Sequence, residues 1–144
     1  ITKTLEKWKN IYKNADEYIY EILSEIPGDL FDPLTKKVKA GIKSQYIVSE
    51  FASVPQGRKA ELKKSGFNKL IENGLIERKM RKSVKTVIVL NEKEACVCFP
   101  NLDGEADLTE MFYGNDYQFH EWCIDYFRDC WSDADLFIES KLKE

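Results

Sequence analysis

The chain has 144 residues, 43% of them hydrophobic and 33% charged, with a net charge of −3. That length buries roughly two thirds of the unfolded surface in one core, with no run of about 18 apolar residues for a membrane span and no secretion signal at the start. A single soluble, cytoplasmic domain with no membrane partner is therefore expected.

Because the first residue is Ile1 rather than methionine, the sequence is read as part of a longer chain. From Thr4 to about Asn14, Leu5, Trp8, Ile11 and Tyr12 recur at helical spacing, with Lys7 where a capping box would place Glu, which predicts a short amphipathic helix. "EYIYEILSEIP" then turns to β-branched and aromatic residues. A strand over about Tyr18 to Leu23 is predicted there, stopped by Pro27-Gly28. "DPLTKKVKAGIKSQYIVSEF" gives a helix over roughly 31–40, with a basic last turn and Gly41 at its stop, running into a strand over about 42–49. A helix over about 57–68 follows Pro55, and a short strand opens at Leu75-Ile76 and passes through "ERKMR". "KTVIVLNEKEACVCFP" holds two apolar runs, 86–90 and 94–99, around a polar turn at Asn91 to Lys93. Strands apolar on both faces belong inside a covered sheet. A turn at Asp103-Gly104, a long helix within Asn115 to Trp131 and a short helix near 133–142 complete the order. The fold class is α/β, a mixed, mainly parallel sheet flanked by helices. Ligands in such sheets sit beyond the carboxyl ends of the parallel strands, here Ser24-Glu25 and Ser49-Glu50.

The charge is uneven. Residues 1–93 carry 19 Lys+Arg against 12 Asp+Glu, and residues 94–144 carry 3 against 13, a net of +7 and −10. The acidic part is a poor partner for a phosphate backbone. The lysines of the first part fall at element ends without interleaved aromatics and read as a solvated surface.

"NDYQFHEWCIDYFRDCW" holds the sole histidine and two cysteines. At about 100° per residue its cysteines fall mid-way across a wide apolar arc, with His120 on the far flank. The favoured reading is a wall of the core. Against it stands a zinc or thiol-based metal or redox sensor using Cys96, Cys98, His120 and Cys123, whose ligand types suit zinc although CxC and HxxC are not a closed-site spacing pair. A Cys-His nucleophile lacks any cation placed beside a thiol. "NLDGEAD" lacks the twelfth-position Glu of a calcium loop and reads as a turn, Asp103 supplying its hydrogen bond and Gly104 its positive φ. No cofactor is called for. "KLIENGLIERKMRKSVKTVIVL" imitates a winged helix-turn-helix within residues 34–100, with Lys63–Asn73 as recognition helix, but the strands after it are apolar on both faces where a wing would be exposed and basic.

The hairpin, the "FP-x-x-DG-x-x-D" loop and the "D-x-F-x-x-x-W" exit within Val87 to Trp131 resemble the effector domain of archaeal winged-helix transcriptional regulators. That group includes TrmB-like repressors and the methanogenesis-regulator middle domain. "IVSEF" with "VPQGRKAELKKSG" is similar to its middle section. The resemblance implies half of a phospholipase-D-like domain, with a winged-helix DNA-binding domain N-terminal to it. The His-x-Lys-x4-Asp nucleophile motif of active phospholipases is absent, because His120 is followed by Glu121-Trp122. What the resemblance implies is thus a non-enzymatic ligand-sensing and dimerising domain. It would be a homodimer, touch DNA only through that other domain, and bind a small-molecule effector near Glu50, Arg58, Tyr113, His120 and Trp122. The aromatic last helices are the candidate dimer face.

Overall fold

The computed structural model describes residues 2–143. Among them, seven strands form one mixed sheet: β1 (Tyr18–Leu23), β2 (Lys43–Ser49), β3 (Ile76–Arg81), β4 (Val87–Leu90), β5 (Ala95–Cys98), β6 (Phe112–Gly114) and β7 (Asp135–Leu136), in the order β6-β5-β4-β1-β2-β3-β7. β1, β2 and β3 are parallel, as helical crossovers require. β4, β5 and β6 extend the sheet antiparallel beyond β1, and β7 does so beyond β3.

The two-residue period of the strands divides the core. On one face, Ile19, Leu23, Tyr46, Val48, Ile76, Met80, Val87, Val89, Cys96 and Cys98 lie under α1 (Thr2–Asn14), α2 (Phe31–Lys39), α3 (Arg58–Ser65) and α4 (Phe67–Glu72). On the other, Ile22, Ile47, Ile88, Leu90, Ala95 and Val97 meet the Cys123, Ile124, Phe127 and Cys130 stripe of α5 (Tyr117–Asp133). The ring of Tyr20 stacks on Phe127, centroids 4.9 Å apart. Each fully buried aliphatic side chain contributes about 1.5–3 kcal/mol, so the wholly buried β4 and β5 anchor both layers.

The mixed α/β sheet flanked by helices is the fold class expected. Four local expectations differ. The helix over 57–68 is broken by Gly66, whose φ of 84° serves at once as the end of α3 and the start of α4. The region near 133–142 is not a helix: Ala134 leaves α5 extended, β7 pairs with β3, and only Glu139–Lys141 makes a 3-10 turn. At Asp103-Gly104 the glycine has the positive φ, 79°, but Asn101 Oδ1 rather than Asp103 accepts the amides of Asp103 and Glu105. β6 is a strand that the sequence pattern did not mark, because Phe112 and Tyr113 are both half exposed on an edge. The winged-helix alternative fails on its wing, since β4 and β5 are central and buried, and on its recognition helix, since Phe67 and Leu70 of α4 are buried in the core. No helix among the described residues is long and apolar enough to cross a membrane.

Candidate functional site

Three residues stand side by side across the parallel strands on the α1 face, because the register pairs Glu21 of β1 with Tyr46 of β2, and Tyr46 with Arg78 of β3. Glu21 and Tyr46 are buried. Burial of a charge is costly without partners, and α1 supplies them: Glu21 Oε2 accepts from Trp8 Nε1 at 2.9 Å and from the Tyr12 hydroxyl at 2.5 Å. Desolvation still dominates and pushes the Glu21 carboxyl up to about 7, against the lowering effect of those two donors. Its Oε1 has no hydrogen-bond partner. Burial, with the neighbouring Glu21 carboxylate, raises the Tyr12 hydroxyl well above its ordinary value.

Arg58 opens α3 after Gly57 and is only 6% exposed. Its Nη1 donates to Glu139 Oε2 at 2.5 Å, while its Nη2 has no partner. Arg78 lies with its guanidinium 3.8 Å from the Phe137 ring centroid and Nη1 3.8 Å from Glu139 Oε1. Two guanidiniums therefore share one carboxylate. Trp8, Tyr12, Glu21, Tyr46 and Arg58, with apolar side chains from Leu23 to Phe67, line a partly open cavity of about 50 Å³. Arg58, Ile26, Pro27 and Phe31 also line an adjoining cleft of about 340 Å³ reached past Asp32, Pro55 and Glu61. The chamber lies over the sheet face at Glu21, Leu23 and Tyr46, and the cleft lies by the segments that leave β1 and β2, beyond the carboxyl ends of those strands.

The five residues expected around the effector are not brought together. Arg58 lines the chamber. Glu50, just past β2, pairs with Lys141 at 3.3 Å over a separate surface depression. Tyr113 stands level with Glu21 but three strands away across the sheet, through Val89 and Cys96, and His120 lies towards the amino end of β1. The Tyr113 hydroxyl donates to Glu94 Oε1 at 2.6 Å, which with burial pushes it up to about 12, and His120 Nε2 donates to the Asn91 carbonyl at 2.7 Å. Trp122 is half exposed and stacks on Tyr126. The reason is topological: β4 runs antiparallel to β1, so the Asn91–Glu94 turn and everything that caps it fall at the amino end of β1.

The zinc alternative fails on the same geometry. Cys96 and Cys98 do share a face of β5, but that face looks at α1, whereas Cys123 projects from α5 across the sheet. Burial pushes the thiols of Cys96, Cys98 and Cys123 up to about 12, 11 and 12. Sequence reading missed Trp8, Tyr12, Glu21, Tyr46, Arg78 and Glu139. A signal existed for Glu21, since it occupies the inward phase of "YIYEIL" between Ile19 and Leu23.

No family model matches the chain, and no curated protein does. Among solved structures it is similar to TrmBL2, an archaeal chromatin protein described as showing a novel mode of DNA binding, at TM-score 0.72 and 16% identity over 94% of this chain. The chain spans about half, 50%, of that one. It is similar also to Nuc from Salmonella typhimurium, a phospholipase D family member (TM-score 0.64, 12% identity, 92% of this chain and 90% of that one). NucT from Helicobacter pylori gives TM-score 0.68 and 13% identity, over 94% and 92%. The expected phospholipase-D-like fold is thus the fold observed. The expectation that the chain is not an enzyme is overturned, because this architecture is shared with the phospholipase D family. The missing His-x-Lys-x4-Asp motif removes only the covalent-histidine route and gives no ground for setting catalysis aside.

Proposed function

We propose that this chain is the ligand-sensing and dimerising part of a DNA-associated regulatory protein, with its effector in the chamber beneath α1. One observation carries the reading: Arg58, almost wholly buried and with no partner for Nη2, lines both the cavity and the open cleft that adjoins it. A buried donor without a partner costs about 1–3 kcal/mol, more for a charged group, and a ligand would remove that cost. The likeness to a DNA-binding archaeal chromatin protein supports a role near DNA. The −10 balance of residues 94–144 supports a DNA contact made by some other part of the protein.

Glu139 connects the chamber to the segment leaving α5, so an effector that repositions Arg58 acts on that segment. The exposed Phe112, Tyr113, Tyr117 and Trp122 support a homodimer face along β6 and the start of α5. Two measurements test the reading. Sedimentation at micromolar concentration is expected to show a dimer, and thermal melts against fractionated metabolite extract are expected to identify a fraction that raises the midpoint. A monomer throughout, together with no stabilising fraction, removes it.

A further inference from the structure

We propose that the chamber binds a small organic monocarboxylate, its carboxylate on Arg58 Nη2 and its apolar body among Leu23, Ile26, Phe31, Leu34 and Phe67. The proposal rests on the sensing reading of the same chamber and gives the ligand its chemistry.

Charge decides the anion. Arg58 and Arg78, with side chains 5% and 15% exposed, share the single carboxylate of Glu139. With the Glu21 carboxyl of the same chamber kept protonated by burial up to about 7, two permanent cations against one partner leave a surplus positive charge, which favours one further negative charge. Nη1 is occupied by Glu139, whereas Nη2 is buried without a partner, so a ligand parts the surrounding side chains to reach it but breaks no hydrogen bond of that nitrogen.

The walls decide the rest. Apart from Trp8, Tyr12, Glu21, Tyr46 and Arg58, every residue lining the chamber is apolar: leucines, an isoleucine, a proline and two phenylalanines. An inorganic oxyanion would leave most of those walls unmatched, whereas an acid with a short branched body covers them. A cavity of about 50 Å³ holds roughly four water-sized positions, the size of a body of roughly three to five carbons, and anything longer extends into the cleft. Glu21, whose Oε1 also has no partner, lines the same cavity and offers an acceptor to a hydroxyl or amine on the body. Water is the competing occupant of both atoms.

The test compares isobutyrate and isovalerate with isobutyramide, inorganic phosphate and chloride at constant ionic strength, by thermal melting and calorimetric titration. The two acids are expected to raise the melting midpoint saturably at millimolar concentration, and the amide, phosphate and chloride are not. Arg58→Gln is expected to weaken the acids at least about tenfold. Because that variant also takes a partner from Glu139, Leu34→Phe, which fills the chamber and leaves the ion pair intact, is the second variant and is expected to abolish binding. Equal stabilisation by phosphate, unchanged acid binding in Leu34→Phe, or no saturable shift from either acid overturns the proposal. If an uncharged compound binds and Leu34→Phe abolishes it, the monocarboxylate class falls while the sensing reading stands.

Discussion

Glu21 is the residue with the most to lose from its surroundings. Its carboxyl titrates at about 7 in the fold against an ordinary 4.5, so between those values the native state holds a proton that the unfolded chain has released. Stability is thus greatest below pH 4.5 as far as this group is concerned, falls as pH rises toward 7, and above 7 carries a penalty of about 3 kcal/mol. Glu21→Gln keeps an acceptor for Trp8 and Tyr12 and cannot ionise. Its melting midpoint is expected to exceed that of the wild type at pH 8 and to converge with it at pH 5; a gap independent of pH would show that the carboxyl is ionised throughout. The cysteines give a second residue-scale prediction. With Cys96, Cys98 and Cys123 buried and raised to about 12, 11 and 12, almost no thiolate exists at neutral pH. Alkylation at pH 7.5 followed by peptide mass mapping should find all three unmodified until denaturant is added, and rapid labelling of any of them in the folded protein would contradict it.

At the scale of elements, the join between β6 and α5 is the tightest place. A Cβ on Gly114 would lie 2.7 Å from Phe119 Cδ2, and the ring belongs to the first turn of α5, which Asp116 caps by accepting the Phe119 amide at 3.2 Å. Gly114→Ala is therefore expected to cost about 1–3 kcal/mol in urea unfolding, through overpacking rather than backbone strain; a neutral result would mean that Phe119 is free to swing away. The elements that periodicity revealed are those with a buried stripe: α1, β1, α2, β2, β4, β5 and α5. Those it missed had none. β6 is three residues with two exposed aromatics, and β7 is Asp135-Leu136, exposed and defined by pairing to Lys79 and Met80 rather than by composition. The site was legible only in part, because alternation places Glu21 on the inner face but cannot show that Tyr46 and Arg78 are its neighbours. That follows from parallel register, which no local pattern encodes.

For the whole molecule, the division of charge along the sequence becomes a layout in space, since the acidic residues 94–144 form the outer strands at both edges and the helix on the far face. What fastens the end of this acidic stretch to the basic first part is Glu139, set between Arg58 and Arg78. Removing one partner of a fully buried ion pair costs about 3–5 kcal/mol. Glu139 is 36% exposed, so water screens part of that and about 2 kcal/mol is the expected loss for Glu139→Gln, a fall of roughly 4–8 °C in melting midpoint at this chain length. The neighbouring pair of Lys141 with Glu50 has side chains 42% and 20% exposed, and Lys141→Ala should cost under about 1 kcal/mol. A double-mutant cycle separates the cause from simple loss of packing: in an Arg58→Met background, which removes one of the two cations, Glu139→Gln should cost clearly less than it does alone. Additive losses would mean that the two groups stabilise the fold independently, and that the C-terminal segment is held by Phe137 and Leu142 rather than by charge.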